Sequence, residues 1–260
     1  MRPRRSLGVR VPFLRWSFLR MMFGIRTLTT EWQVGDGREA AVRDHVLANA
    51  PAGDLDAVIR AIDEYAYEEK FLINVGDEKG AILDAALHRA QPRLILELGA
   101  YVGYSGLRMA RAMPEGARLV SVEFLEANAQ ITRDIWRHAG IDDRATVVVG
   151  TLGDGGATLD ALGAEHGFAP GSVDFVFLDH DKDHYLSDTK LLLERGWLHA
   201  GSVLVADNVK FPGAPAYRSF MQEHEGTAWR TTEHATHAEY QTLLKDLVLE
   251  SEYLGPAPTA

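Results

Sequence analysis

The sequence contains no cysteine among its 260 residues. This absence excludes disulfide bonds, thiolate zinc sites and cysteine nucleophiles. The sequence also lacks an excess of basic residues, because its formal net charge is −10 at pH 7. Proteins that bind nucleic acid usually present a strongly basic surface, so we expect no nucleic-acid partner.

Acidic residues are missing from the first thirty positions, which contain seven arginines: Arg2, Arg4, Arg5, Arg10, Arg15, Arg20 and Arg26. This segment therefore carries +7, which leaves −17 for residues 31–260, with 20 basic and 37 acidic side chains. Residues 11–25 are rich in apolar side chains, but two of the arginines interrupt them. A membrane-spanning helix needs about 20 largely uncharged residues, so we predict no spanning segment.

Residues 1–35 are predicted to form a basic extension of one of two kinds. The first is an aromatic-rich helix that lies on an anionic membrane surface. The second is a disordered leader, or a translation start placed too early with Met21 or Met22 as the true start. We favour the second, because arginines spaced five apart do not give a helix a clean polar face. We expect a cytoplasmic monomer whose only membrane contact is weak and runs through this extension.

Residues 36–260 are predicted to form a single domain that begins with three helices, at about 37–49, 54–65 and 77–89. Short apolar strands then alternate with amphipathic helices. The strands are expected at about 93–98, 117–123, 145–149, 173–178, 202–206, 229–233 and 239–250. This order predicts an α/β, Rossmann-like, doubly wound sheet of seven mostly parallel strands with helices on both faces. Because no helix separates the last two strands, we expect an antiparallel strand at one edge.

The first strand runs directly into a glycine turn, and both lie within residues 94–106. Gly99 and Gly103 make the turn, and a helix begins near Tyr104. A strand, a glycine turn and a helix N-terminus form a cradle for a nucleotide-like cofactor. Glu123 ends the second strand 20 residues after Gly103, where it can accept hydrogen bonds from both hydroxyls of a ribose.

The spacing of this turn separates two classes of cofactor. Dinucleotide sites use the spacing G-x-G-x-x-G, whereas here three residues separate Gly99 from Gly103. Glu97 would repel a pyrophosphate but attract the ammonium and sulfonium of a methionine-type ligand. We therefore favour S-adenosylmethionine over NAD. The alternative for Glu97 alone is a strand-end charge that faces water.

Acidic and amide side chains follow two later strands. Asp179 comes after the fourth strand, and Asp207 and Asn208 come after the fifth. Adjacent parallel strands lie about 4.8 Å apart, so these side chains can converge. Their hard oxygen atoms suit Mg²⁺, which usually keeps positions for water and substrate. The alternative is that Asp179 caps a helix and that Asp207 and Asn208 form a turn.

Lys182 lies three residues after Asp179 and is the candidate general base. A bound metal and a sulfonium nearby would favour its neutral amine, because like charges repel. His180 and His184 are rival bases. We expect His180 to flank the cofactor and His184 to begin the next helix.

Several stretches together resemble the catechol O-methyltransferase family. They read FLINVGDEKG at 71–80, ELGAYVGYS at 97–105, FLDHDKDHY at 177–185 and VADNVKFP at 205–212, together with Glu123 and the pair Glu239-Tyr240. The similarity extends over about residues 36–255 and does not include the basic extension. The combination of these motifs is highly specific to the family, although no single motif is.

The resemblance implies a metal site and a substrate site. Mg²⁺ would be held by Asp179, Asp207 and Asn208. Lys182 would take a proton from one hydroxyl of a catechol, and Glu239 would accept a hydrogen bond from the other. The substrate-binding residues that the resemblance implies are Phe71, Lys182, Asn208, Pro212 and Glu239. Phe71 and Pro212 would enclose the catechol ring as two apolar jaws.

The resemblance also implies a set of cofactor-binding residues: Ile73, Val75, Glu97, Gly99, Tyr101, Ser105, Glu123, Asp179 and His180. Within this set, Val75, Gly99 and Ser105 would hold the methionine end. Tyr101 and Ile73 would lie near the sulfonium. Glu123 would bind the ribose, and His180 would contact the adenosine.

Four positions differ from the animal members of the family. Phe71 and Asp181 stand where those enzymes have tryptophan, and Leu152-Gly153 replaces a serine-glutamine pair near the adenine. We expect these differences to affect cofactor affinity and ring selectivity.

The predicted function is Mg²⁺-dependent transfer of a methyl group from S-adenosylmethionine to one hydroxyl of a catechol. The first alternative is a metal-dependent O-methyltransferase for a bulkier phenol, such as a caffeoyl-CoA-like ester. The second is a non-catalytic accessory protein that keeps the fold. A nicotinamide oxidoreductase is disfavoured, because no Ser-Tyr-Lys or similar set for hydride transfer is evident.

Overall fold

The computed structural model describes residues 36–237, 239–240 and 244–256. The predicted basic extension at residues 1–35 lies outside this part of the chain. Within the described residues, no helix combines the length and the apolar character needed to cross a membrane.

Eight α-helices and seven strands make up the described part of the chain. The helices are α1 (Arg38–Asn49), α2 (Leu55–Glu68), α3 (Gly76–Ala90), α4 (Tyr104–Ala112), α5 (Glu126–Ala139), α6 (Ala157–His166), α7 (Tyr185–Glu194) and α8 (Pro215–Glu223). The strands are β1 (Leu94–Leu98), β2 (Arg118–Glu123), β3 (Ala145–Val149), β4 (Val173–Leu178), β5 (Leu198–Ala206), β6 (Trp229–His237) and β7 (Lys245–Tyr253). A short 3₁₀ turn, Lys182–His184, precedes α7.

The seven strands form one mixed sheet in the order β3-β2-β1-β4-β5-β7-β6. Strands β1 to β5 pair in parallel, and β7 runs antiparallel to both β5 and β6. The predicted fold class is therefore confirmed. The antiparallel strand is β7, which enters between β5 and the edge strand β6.

The predicted start of the last strand, at about residue 239, is wrong. β7 starts at Lys245, and Glu239 lies in the turn that follows β6. Tyr240, the next residue, has a φ of 51°, which is in the left-handed region and incompatible with an extended strand. No glycine, proline or asparagine marks this turn in the sequence.

Helices cover both faces of the sheet because side chains on a strand alternate between its faces. Ile95 of β1 belongs to the core cluster that includes α1 to α5. Its neighbours Leu94 and Leu96 belong to the cluster on the opposite face, which includes α6 to α8. All five residues of β1 are buried, as expected for a central parallel strand.

The winding direction of the sheet reverses between β1 and β4. Ligands of doubly wound sheets bind at such a point, beyond the carboxyl ends of the strands. Gly99 follows β1 there with a φ of 99°, and a Cβ atom on it would lie 2.6 Å from the backbone oxygen of Asp179. Gly99 therefore allows the glycine turn and the end of β4 to approach each other closely.

Replacing Gly99 by alanine is expected to destabilise the protein by about 2 kcal/mol or more, because both the positive φ and the contact with Asp179 oppose a Cβ atom. The matched control is Gly153→Ala, where a Cβ atom meets nothing within 4 Å. Urea unfolding of both variants measures the difference. Equal and small effects at the two positions would rule out the close approach.

Candidate active site

The glycine turn is fixed by side chains from β2 and α5. Glu123 Oε2 accepts hydrogen bonds from the backbone N–H groups of Ala100 (3.1 Å) and Tyr101 (2.9 Å). The indole N–H of Trp136 donates to the carbonyl oxygen of Gly103 at 2.9 Å. The predicted ribose-binding acid therefore lies at the turn, as the sequence indicated.

Glu97 is fully buried beneath this turn. Its Oε1 accepts a hydrogen bond from the hydroxyl of Ser105, and its Oε2 has no partner among the described residues. Burial raises the pKa of Glu97 to about 7, although the hydrogen bond from Ser105 acts in the opposite direction. The interpretation of Glu97 as a charge facing water is therefore wrong. A buried carboxylate oxygen without a partner suits a cationic ligand group.

Three other predicted cofactor residues, Tyr101, Val75 and Ile73, lie in the turn itself or before α3. Tyr101 has a φ of 52°, and its hydroxyl donates to Glu39 Oε1 of α1 at 2.9 Å, so its side chain links the turn to that helix. Val75 is buried immediately before α3, and Ile73 is half-buried against the same core. The structure therefore links α1 to the glycine turn through the side chain of Tyr101.

His180 lies beyond β4 and pairs with an acid of α7. Its Nε2 is 2.8 Å from Asp188 Oδ2, while Nδ1 is buried without a partner among the described residues. Burial lowers the pKa of His180, although the carboxylate of Asp188 opposes this shift. The contact with Asp188 fixes the orientation of the His180 ring and leaves its buried Nδ1 available to a ligand.

Asp207 and Asn208 occupy the end of β5. Asp207 is fully buried, and its Oδ1 accepts from the backbone N–H of Asn208 at 2.6 Å, while its Oδ2 has no partner among the described residues. Asn208 has a φ of 55° and donates from Nδ2 to Glu239 Oε1 (2.8 Å) and Asp246 Oδ2 (3.0 Å). Its amide oxygen is therefore the atom left to ligate a cation.

Asp179 and Asp207 are close enough for their charges to interact. Burial raises the pKa of Asp179 to about 6, although Lys182 and Lys79 oppose the shift. Burial also raises the pKa of Asp207 to about 7; Lys79 opposes this and Asp179 adds to it. Two neighbouring carboxylates that resist ionisation together, one fully buried and one largely so, are a favourable environment for a divalent cation.

Lys182 stands in the 3₁₀ turn beside the metal-site acids. Its Nζ donates to Asp179 Oδ1 at 3.0 Å and to the hydroxyl oxygen of Tyr185 at 2.8 Å. The Tyr185 hydroxyl in turn donates to the carbonyl oxygen of Leu178 at 2.8 Å. His184, the other rival base, is exposed and precedes α7, as predicted.

Lys79 of α3 is a member of the site that the sequence did not reveal. Its Nζ lies 2.9 Å from Asp207 Oδ1, 2.7 Å from Glu239 Oε1 and 2.8 Å from Asp246 Oδ2. Burial alone would lower the pKa of Lys79, but the three carboxylates outweigh it and raise that pKa above its usual value. The lysine is therefore a permanent cation at the back of the site.

Asp246, at the start of β7, was also missed. Its Oδ2 accepts from Lys79 and Asn208, and its Oδ1 accepts from the backbone N–H of Phe211 at 2.9 Å. The carboxylate therefore fixes both the metal-site amide and the loop that contains Pro212. No clear signal in the sequence marks it, because an acid next to a lysine at the start of a strand is usually read as a solvent-facing residue.

The predicted jaws differ in exposure. Phe71 is only 5% exposed and packs edge-on against Tyr240, with ring centroids 6.4 Å apart. Pro212, the other predicted jaw, is exposed, and Phe211 directly before it is 48% exposed. A further aromatic residue that the sequence reading missed is Phe124, which follows the ribose-binding acid and is 57% exposed. It is an apolar surface beside the turn.

Comparisons with known proteins identify the family to which this chain is similar. A family model described as O-methyltransferase matches residues 53–225. A probable O-methyltransferase of Mycobacterium tuberculosis is 64% identical over 235 residues, which are 90% of this chain and 100% of that protein. The catechol O-methyltransferase of Bos taurus is 39% identical over 226 residues, which are 86% of this chain and 80% of that protein.

One solved structure illustrates the similarity in fold. The O-methyltransferase TomG of Streptomyces achromogenes, solved in complex with SAM, superposes with a TM-score of 0.61 at 23% identity. The match covers 76% of this chain and 89% of that one. At this level of identity it supports the shared fold alone.

The buried carboxyl of Glu97 is expected to make stability depend on pH. Its pKa of about 7 in the folded state exceeds 4.5, the value for an unperturbed glutamate, so the folded state holds a proton that the unfolded state releases. Stability should therefore fall as pH rises from about 4.5 to 7, by roughly 3 kcal/mol. Glu97→Gln should remove this part of the dependence.

The measurement is urea unfolding of the ligand-free protein across this pH range, compared with Glu97→Gln and with the exposed control Glu115→Gln. The control should follow the wild type. If the curve for Glu97→Gln is also parallel to the wild type, then Glu97 is not a buried carboxyl with a raised pKa.

Proposed function

Because this chain belongs to the O-methyltransferase family, we propose that it transfers a methyl group from S-adenosylmethionine to one hydroxyl of a catechol, with Mg²⁺ held by Asp179, Asp207 and Asn208. The observation that carries the proposal is the convergence of these oxygen ligands with Lys182. The base candidate donates to Asp179 at 3.0 Å, and Asp207 keeps one buried oxygen without a partner among the described residues.

The donor set suits Mg²⁺ by its chemistry. Two carboxylates and an amide supply hard oxygen atoms, and three protein ligands leave three of six octahedral positions for water and for a chelating substrate. The unpartnered Oδ2 of Asp207 is an orphaned buried atom that a cation would satisfy. The 39% identity with a catechol O-methyltransferase supports a catechol as the substrate class.

The turn suits S-adenosylmethionine in three respects. The unpartnered Oε2 of Glu97 can receive the cationic methionine end. Glu123 lies at the turn, where ribose hydroxyls are expected. Phe124 adds an exposed ring on which an adenine can stack.

The chain's own residues position the reactants and move one proton. When bound, S-adenosylmethionine supplies the methyl group and Mg²⁺ supplies positive charge that favours an ionised catechol. Lys182 Nζ, in its neutral form, receives the proton that the attacking hydroxyl loses. Its contacts with Asp179 and Tyr185 hold this nitrogen in place before and after the transfer.

Glu239 orients the second hydroxyl in this proposal. Its Oε1 already accepts hydrogen bonds from Lys79 and Asn208. Its other carboxylate oxygen, Oε2, would therefore accept the hydrogen bond from the second catechol hydroxyl.

Pro212 and the exposed ring of Phe211 would cover the apolar face of the catechol. Phe71, which is buried against Tyr240, would contribute the other apolar wall. Orientation of two bound reactants supplies much of the rate enhancement in such reactions.

The direct test mixes purified protein with S-adenosylmethionine and 3,4-dihydroxybenzoate, in Mg²⁺ or in EDTA, and follows product by mass spectrometry. We expect monomethylated product in Mg²⁺ and its loss in EDTA. Product that forms equally in EDTA would contradict the metal site. If this catechol gives no product but caffeoyl-CoA does, then the substrate is a bulkier phenol and not a simple catechol.

Lys182→Met is expected to lower turnover by roughly 10²- to 10⁴-fold, the usual contribution of a general base. Binding of S-adenosylmethionine, measured by calorimetry, should be unchanged because the glycine turn is untouched. The control is Lys190→Met, which removes an exposed lysine from α7. Wild-type turnover in Lys182→Met at neutral pH would remove the lysine from the mechanism.

Phe124→Ala is expected to weaken S-adenosylmethionine binding roughly tenfold, which corresponds to a stacking contribution of about 1.4 kcal/mol. Turnover at saturating cofactor should change little, because the ring lies away from Lys182 in this proposal. Leu47→Ala removes another exposed apolar side chain, 43% exposed against 57% for Phe124, from α1 and serves as the control. Unaltered affinity in Phe124→Ala would exclude an adenine platform at this position.

A further inference from the structure

Three carboxylates surround the ammonium of Lys79 in the interior of the site. The Nζ atom lies 2.7 to 2.9 Å from one oxygen each of Asp207, Glu239 and Asp246. The side chains of Lys79, Asp207 and Asp246 are 1%, 0% and 0% exposed, and that of Glu239 is 14% exposed. The cluster is thus closed on nearly all sides.

The three acids have the geometry of a metal site. One ligand oxygen from each lies within 4.8 Å of the others. Oxygens this close together could all contact one cation. A side-chain cation already occupies the space between them, because Lys79 reaches it from α3.

We propose that the ammonium of Lys79 is a built-in cation that takes the place of a second metal ion, so that the site accepts one divalent cation and not two. The single-ion part rests on the proposed function, since it assumes the metal position at Asp179, Asp207 and Asn208. The part that concerns Lys79 stands on the geometry of the three acids alone.

The charges around Lys79 agree with this assignment. With all groups ionised, Lys79 and its three acids sum to −2, and Lys182 balances Asp179. One divalent cation therefore neutralises the centre. Without Lys79 the same three acids would carry −3 in a buried position, which is costly unless a cation enters.

Lys79 also decides which oxygen of Asp207 is available. Its ammonium and the backbone N–H of Asn208 both bind Oδ1, which leaves Oδ2 without a partner among the described residues. The lysine is therefore a positioning residue for the proposed metal ligand. A purely structural ion pair would affect stability but would not fix the number of cations that the protein binds.

The test counts bound Mn²⁺ on the full-length protein by calorimetry and electron paramagnetic resonance, without cofactor or substrate. Wild type should bind one ion. Lys79→Ala, which opens the space between the three acids, should bind two. Lys79→Ala combined with Asp246→Asn removes one of the three ligands and should return the count to one.

A thermal measurement keeps the test decisive if Lys79→Ala is unstable without metal. Millimolar Ca²⁺ should then raise its Tm, by roughly 5 to 10 °C at about 100 times the dissociation constant. The double variant should show a much smaller rise. Failure of Ca²⁺ and Mn²⁺ to stabilise Lys79→Ala beyond the wild type would overturn the proposal.

The outcomes separate this proposal from the proposed function. One ion in wild type and one in Lys79→Ala would leave the magnesium site intact and refute the role of Lys79. No ion in wild type but one in Lys79→Ala would support the role of Lys79 and count against the magnesium site. No ion in either protein would refute both.

Discussion

The contact between Lys79 and three carboxylates holds the active-site region together. It joins α3, the end of β5, the turn after β6 and the start of β7 at one nitrogen atom. This convergence depends on the sheet topology. β7 enters antiparallel beside β5, with Ala206 opposite Leu249, so Asp246 lies just beyond the carboxyl end of β5. An interior ion pair of this kind contributes little net stability, but removal of one partner is costly.

The second constraint on the site is the reversal of strand order between β1 and β4. It sets the glycine turn against the end of β4, and the absence of a side chain at Gly99 allows the backbones to meet. The proposed cofactor and metal positions therefore share one wall. Lys182 is held there by Asp179 and Tyr185, which belong to the end of β4 and the start of α7. The proposed chemistry thus follows from three adjacent strand ends and one inserted antiparallel strand.

The sequence predicted those parts of the site that strand ends supply. Glu97, Glu123, Asp179 and Asp207 follow or end apolar strands, and the meeting of parallel strand ends at one edge brings them together. Lys79 was not predictable in the same way, because a lysine on an amphipathic helix usually faces solvent. Its burial depends on β7, whose start the sequence pattern misplaced. Tertiary packing therefore determined what local periodicity could not.

The most direct test of this account is the position of a single bound metal ion. Crystals soaked in Mn²⁺ and measured near its absorption edge would locate the ion by anomalous scattering. We predict one peak, bound by Asp179, Asn208 and the unpartnered Oδ2 of Asp207, with Lys79 still enclosed by its three acids. A peak that displaces the Lys79 ammonium, or the absence of any peak beside Asp207, would contradict the account.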